Sequence, residues 1–326
     1  MLKDRFNRVH NYLRISLTDS CNFRCAYCMP NEEISCLPNS HLMSTEEITS
    51  IAKTFVGLGV KKIRLTGGEP LVRKEFRDIL QKLSQLPVEL TLTTNGVLVH
   101  QYLDELKAAG VRSLNISLDT LNPEKFHKLT KRNQFQIVWD NIMLLLKEGF
   151  RVKINAVALN GIIEDEVIDF VRITQNLPLH VRFIEFMPFS GNHWKSDKVI
   201  TAQQLLEIIK PEFNVVKLTD EKHDTDKKYQ VEGYEGTFAF ITTMSSHFCG
   251  DCNRMRLTAD GKMKNCLFGK DEMDLLGALR KGEPIIPLIQ KSIYIKHAAV
   301  GGQFTQEYEK ADANKIENRS MIKIGG

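Results

Sequence analysis

The sequence has no apolar run long enough to cross a membrane. Its longest clean one, Ile142-Met143-Leu144-Leu145-Leu146, has five residues, where a span needs about 20. The opening stretch Met1–Arg8 has no apolar signal region, so a reducing, cytoplasmic setting is expected. Charge of one sign is also scarce in excess. Lys and Arg number 44 against 40 Asp and Glu, a net charge of +4 on 326 residues. That is too little to argue for a nucleic-acid or membrane partner, and neither is expected. There is no Gly-x4-Gly-Lys-Ser/Thr loop, which excludes a P-loop GTPase. No internal repeat or low-complexity tract breaks the chain. Finally, no cysteine lies between Cys36 and Cys249. The seven that exist are gathered at 21, 25, 28 and 36 and again at 249, 252 and 266. An odd number excludes complete internal disulfide pairing, and clustered thiols in a reducing compartment point to metal ligands or catalytic groups.

Between about 12 and 187, short runs rich in Ile, Leu and Val alternate with stretches of helical periodicity. The strands expected are Leu13–Leu17, Lys62–Thr66, Val88–Thr94, Ser113–Leu118, Val152–Val157 and Val181–Phe186. The helices expected are Thr45–Leu58, Lys74–Leu86, Gln101–Ala109, Gln134–Glu148, Glu164–Gln175 and Ala202–Ile209. Ser44 with Glu47 three residues on makes a capping box for the first of these. Six strand–helix units predict an α/β fold with a parallel sheet, either doubly wound or an open, partial barrel, with ligands at the C-terminal strand ends. The remainder divides off as a second region, giving domains 1–190 and 191–326. In it, Leu218–Gln230 mixes both charges and reads as a solvated loop, Glu235–Thr243 reads as a strand, and a polar tail ends in Gly325-Gly326.

Cys21-x3-Cys25-x2-Cys28 directly follows the first strand. Three thiolates within eight residues can hold three corners of a cubane iron–sulfur cluster, leaving the fourth iron open for chemistry. A zinc knuckle with a remote fourth ligand is the weaker reading of this spacing. Arg64-Leu65-Thr66-Gly67-Gly68-Glu69-Pro70 stands at the end of the second strand, where paired glycines allow close backbone approach to a ligand. Thr93-Thr94-Asn95-Gly96 and Asn115-Ile116-Ser117-Leu118-Asp119 occupy the corresponding ends of strands three and four. On these motifs the chain resembles the radical S-adenosylmethionine (SAM) superfamily. The resemblance implies a partial (β/α)6 TIM-type barrel, a [4Fe–4S] cluster held by Cys21, Cys25 and Cys28, SAM bound at its open iron, and a deoxyadenosyl radical. It also implies that Tyr27, Gly68, Ser117 and Met187 contact SAM.

Cys249-x2-Cys252-x13-Cys266 makes a second three-thiol set. Spacing alone leaves zinc, with His247 as fourth ligand, and iron–sulfur equally open. Arg254 and Arg256 follow at once, two residues apart. On a strand they share one face, and two guanidiniums beside a metal centre make a phosphate site. Arg14 is a third charge, inside an otherwise apolar strand, and requires a partner. Together with Arg182-Phe183-Ile184-Glu185-Phe186-Met187, these features resemble the MoaA family of GTP 3′,8-cyclases of molybdenum cofactor biosynthesis, over essentially the full chain. That resemblance implies a second [4Fe–4S] cluster on Cys249, Cys252 and Cys266, in a C-terminal α+β extension that closes the barrel. It implies GTP contacts from Arg14, Arg64, Thr93, Lys153, Arg254, Met255 and Arg256, and a catalytic role for Arg14, Arg254, Arg256, Gly325 and Gly326. The enzyme would be a lyase and a homodimer. It would take electrons from a reductase, flavodoxin or ferredoxin and pass its product to a cyclic pyranopterin monophosphate synthase. Two other readings differ in kind: a peptide maturase whose second cluster transfers electrons, against which the arginines argue, and a zinc scaffold without activity. Cys36 has no role in the resemblance.

Overall fold

The computed structural model of the protein describes residues 1–29, 36–304 and 307–325. Twelve strands among the described residues form one open sheet in the order β12-β11-β10-β1-β2-β3-β4-β5-β6-β9-β8-β7. The middle six are β1 (Tyr12–Ser16), β2 (Lys62–Thr66), β3 (Glu89–Thr94), β4 (Ser113–Ser117), β5 (Arg151–Ala158) and β6 (His180–Glu185). Each is parallel to its neighbour, as serial strand–helix units require. The later strands are β7 (Val215–Lys217), β8 (Lys227–Val231), β9 (Thr237–Ile241), β10 (Arg254–Leu257), β11 (Lys262–Lys264) and β12 (Met273–Asp274). They add to both edges. β10 pairs parallel with β1 and β9 parallel with β6, so residues after 190 extend the same sheet on either side of its opening.

The helices are α1 (Thr45–Gly57), α2 (Phe76–Ser84), α3 (Leu103–Ala108), α4 (Pro123–Thr130), α5 (Phe135–Lys147), α6 (Val167–Arg172), α7 (Ala202–Ile209), α8 (Leu275–Arg280), α9 (Ile286–Tyr294) and α10 (Met321–Ile324). The Ser44–Glu47 capping box forms as expected. The periodicity reading passed over α4, although Asn122 caps it and Pro123 opens it, a standard start signal. Along β5 burial alternates strictly from Arg151 to Ala158, because alternate side chains enter the helix-packed core and the lumen. Leu13, Ile15, Ile63, Leu65, Ile154 and Val181 go into the core and are fully buried. Tyr12, Arg14, Lys62, Arg64, Lys153 and Arg182 are left to the lumen face.

Two stretches differ from expectation. Leu218–Gln230 is not simply a solvated loop: Lys227–Val231 is strand β8, and Asp226 is buried, 2.9 Å from His180 Nε2. The N-terminus is a hook. Asp4 accepts from Arg8 Nε at 2.6 Å and lies 3.0 Å from His10 Nε2. Arg8 donates onward to the carbonyls of Cys249, Ala298 and His297 at 2.6–2.7 Å.

Candidate active site

The lumen has two levels. Cys21, Cys25 and Cys28 sit on the loop beyond the C-terminal end of β1, all free thiols and half-buried. Local hydrogen bonds curl the loop: Cys28 N–H and Met29 N–H both donate to Cys25 O, at 3.0 and 2.8 Å. Asn95 Nδ2 ties it to the end of β3 through Asn22 Oδ1 at 2.6 Å. Ala26 N–H ties it to α4 through Leu129 O at 3.0 Å. The thiols line a cavity with Tyr27, Gly68, Thr93, Ser117 and Asp119. The paired glycines have a local reason as well. A Cβ on Gly68 would stand 2.4 Å from Ser20 O, and one on Gly67 2.6 Å from Thr18 O. Only glycine lets this turn pack against the strand that launches the thiol loop.

Acidic groups outweigh the neighbouring Arg24, whose Nη1 donates to Cys21 O at 2.6 Å. Burial pushes the Cys21 thiol up to about 11, helped by Glu69, and the Cys28 thiol up to about 12, helped by Cys21. Cys25 is raised by burial, then by Asp119 and the other two thiols. Burial also lifts Glu69 to about 7 and Asp119 to about 6. Glu69 is held by Thr94 Oγ1 and Asn95 N–H, both at 2.7 Å, and Asp119 by Tyr27 OH at 2.7 Å. Three thiols on one cavity wall and two buried carboxyls suit a cationic occupant. The donor set fits an iron–sulfur cluster with a sulfonium ligand beside it.

The second level lies where β1 begins. Register puts Tyr12 opposite Arg254 and Lys62, and Arg14 opposite both Arg256 and Arg64. Cys252 precedes β10 and Cys266 follows β11, so both stand at this end. Five residues of β1, about 16 Å of strand, separate the levels. Tyr12, Arg14, Lys62, Arg64, Asn115, Lys153, Arg182, Asp226 and Arg254 line a second cavity. Cations on adjacent strands repel, and burial adds to this. Burial and Arg256 together hold Arg14 well below its usual value. Burial and Arg182 lower Lys153 to about 8. Burial opposes ionisation of Tyr12, yet Arg64 and Arg14 bring its phenol down to about 7. Arg64 Nε donates to Tyr12 OH at 2.5 Å. Asn115 Oδ1 and Arg182 Nε are buried without a hydrogen-bond partner among the described residues. A polyanion bearing hydrogen-bond acceptors and donors would satisfy both. Cys252 differs from the first thiols: burial would raise it, but Arg254 and Lys296 bring it down to about 6.

The tail joins the levels. Arg319 pairs with Asp260 at 2.8 Å and with Glu272 at 2.5 Å, and α10 then delivers Gly325, whose carbonyl accepts from Arg256 Nη1 at 2.5 Å. Gly325 has φ +85°, and a Cβ there would meet Ser16 Cβ at 2.8 Å. Gly326 lies outside the described residues. Thr93 receives Arg64 Nη1 at 3.2 Å and stands between the cavities.

Two expected contacts are placed differently. Met255 is completely buried in the main apolar core: lying between Arg254 and Arg256, its side chain takes the opposite face of β10, away from the lumen. Met187 does not line the first cavity but packs against the apolar cluster of Phe186, Trp194 and Ile324. Sequence reading missed Tyr12, Lys62, Arg182 and Asp226 as lining residues. The signal was the spacing of two in Tyr12/Arg14 and Lys62/Arg64, which puts each pair on one face. Cys36 is exposed.

An open parallel α/β sheet with a three-thiol loop past its first strand defines a radical SAM protein. Comparison with known proteins agrees. The Radical SAM superfamily pattern matches residues 15–173, and the pattern described as Molybdenum Cofactor Synthesis C matches 179–301. The chain is 44% identical to "GTP 3',8-cyclase, mitochondrial" of Arabidopsis thaliana, over 100% of this chain and 84% of that protein. It is 40% identical to "GTP 3',8-cyclase" of Alkaliphilus oremlandii over the full length of both. It is 43% identical to human "Molybdenum cofactor biosynthesis protein 1", over 99% of this chain and 51% of that protein, so it spans about half the length of the animal relatives it matches. Among solved structures, Streptococcus suis SuiB bound to S-adenosylmethionine superposes with TM-score 0.57 at 16% identity, over 87% of this chain and 68% of that one, a likeness of fold. The chain belongs to the GTP 3′,8-cyclase family of the radical SAM superfamily. No helix among the described residues is long and apolar enough to cross a membrane.

Proposed function

We propose that the chain is a GTP 3′,8-cyclase acting at the first step of molybdenum cofactor biosynthesis. The observation that carries this reading is the layer of half-buried Arg14 and buried Arg64 and Arg256 on three adjacent strands, between two sets of thiols. When bound, the cluster on Cys21, Cys25 and Cys28 and its SAM supply abstraction of the C3′ hydrogen of GTP, after which C3′ bonds to C8 of guanine. The residues of the chain bind and orient. Arg14, Arg64, Lys153, Arg254 and Arg256 hold the triphosphate, with Arg182 added to that set. Cys249, Cys252 and Cys266 hold a second [4Fe–4S] cluster at the guanine end. Tyr27, Gly68 and Ser117 border SAM, and Gly325 fills space between the ligands and excludes water. Residues 1–190 would thus carry the radical-generating site and much of the triphosphate site, and 191–326 the second cluster with the remaining arginines. We place the enzyme in the cytoplasm as a homodimer, with a flavodoxin, ferredoxin or reductase as electron donor and a cyclic pyranopterin monophosphate synthase downstream.

The test is anaerobic incubation of cluster-replete protein with SAM, dithionite and GTP. Deoxyadenosine should form with matching loss of GTP and appearance of the cyclised triphosphate, and ATP should not substitute. Deoxyadenosine without GTP loss would sink the reading.

A further inference from the structure

Lys296 is a charged side chain for which the proposed reaction has no use. It is 2% exposed, follows α9, and reaches back under the second thiol set. Its Nζ stands 3.0 Å from Arg254 O, 3.5 Å from Cys252 Sγ and 3.5 Å from His10 Nδ1. His10 is itself fully buried, with Nε2 3.0 Å from Asp4 Oδ2. The only tautomer that satisfies both contacts has Nε2–H donating to Asp4 and Nδ1 accepting from the ammonium. The N-terminal hook thereby fixes the lysine from behind, and Arg8 fixes the hook to the backbone of Cys249 and of residues 297–298. A buried ammonium is costly unless it faces an anion. The one Lys296 faces is the sulfur of Cys252. Val300 N–H approaches Cys249 Sγ in the same way at 3.4 Å.

We propose that Lys296, held by the Asp4–His10 pair, is a positioning residue for the second cluster: its ammonium hydrogen-bonds the Cys252 thiolate and makes that cluster easier to reduce. The inference rests on the reading of Cys249, Cys252 and Cys266 as cluster ligands. The physical ground is that positive charge and hydrogen bonds at a coordinating sulfur withdraw electron density and favour the reduced cluster. Hydrogen bonds to ligand sulfurs from outside the coordination sphere also fix the ligand's direction. The lysine adds no step to the reaction. It sets the potential and rigidity of the centre on which the substrate rests.

The experiment is an EPR-monitored redox titration of the second cluster in anaerobically reconstituted full-length protein, with iron counted in each sample. The Cys25→Ser background removes the signal of the first cluster. Lys296→Met should shift the reduction equilibrium about tenfold toward the oxidised form, about 59 mV lower for a one-electron couple, with iron content unchanged. Lys296→Arg should keep the wild-type potential. An unchanged potential in Lys296→Met with its iron in place overturns the proposal. If Lys296→Met fails to assemble the cluster, Lys296→Arg decides: assembly at the wild-type potential supports a role for the charge, and failure of the arginine protein too shows that the shape of lysine is required and overturns it. Absence of a second cluster in the wild-type protein would overturn the ligand reading instead, a separate result.

Discussion

The two thiol sets carry the same donor atoms in opposite electrostatic company. Around Cys21, Cys25 and Cys28 stand the carboxyls of Glu69 and Asp119 and the guanidinium of Arg24, and burial leaves every thiol raised. Around Cys252 the nearest charges are Arg254 and Lys296, and the thiol is lowered despite its burial. The first set has Arg24 bound to its backbone, yet its buried carboxyls leave it receptive to further positive charge. The second has Arg254 and Lys296 beside Cys252, and Arg254 also lines the cavity of Arg14, Arg64 and Lys153. Identical ligand chemistry is thus tuned by neighbours toward two tasks: one site receptive to a cationic cofactor, the other continuous with an anion site.

The most severe way to break this contrast is Cys25→Ser. Deoxyadenosine formation should fall below detection while iron drops from about eight to about four atoms per chain, one cluster of two. Loss of both clusters would show that the sites do not assemble independently. Next comes Arg14→Gln. Removing one charged partner from a buried polyanion site should weaken GTP binding about 100-fold, read by equilibrium dialysis, while SAM cleavage by the first site persists. Gly325→Ala should cost about 1–3 kcal/mol of tail docking, through the positive φ and the Ser16 contact. Limited proteolysis of the tail should accelerate, with global unfolding unchanged. The mildest perturbation is pH. Burial, Arg182, Arg64 and Lys62 lower Lys153 to about 8, with Asp226 opposing. A depressed lysine loses its charge as pH rises through that value. Affinity for inorganic tripolyphosphate should therefore decline above about pH 8, by at most about tenfold per unit, with proton uptake on binding seen by calorimetry. Lys153→Met should flatten this dependence. The same group disfavours the ligand-free fold while charged, so its penalty is full below about pH 8 and is relieved as pH rises toward the ordinary lysine value.

Much of the first site was legible because it is local. Cys21–Cys28, Gly67–Gly68 and Ser117 lie at ends of strands that periodicity located within a residue or two, and parallel topology gathers strand ends on one face. The second site was legible only in part. Arg254 and Arg256 were visible beside the cysteines, but Tyr12, Lys62 and Arg182 matter through register between strands distant in sequence, which no single segment displays. Asp226 was hidden in a run of charges whose average suggested solvent. Met255 was misplaced because proximity to the arginines in sequence means the opposite face on a strand. Asp4, Arg8 and His10 carried no pattern at all, since a hook held by side-chain contacts has no period.

The attachment of β10 to β1 has a consequence for synthesis. β1 leaves the ribosome long before its partner β10, which lies far downstream in the sequence. Until then β1 is a bare sheet edge beside the loop of Cys21–Cys28, prone to pairing with other nascent chains. Contacts this distant in sequence also form slowly. A nascent chain can complete the first thiol loop and the strands around it, but it cannot form the arginine layer before residue 256 has been made. A chain interrupted before residue 254 could therefore collect iron on its first three cysteines while lacking Arg254, Arg256 and the second thiol set that complete the nucleotide site.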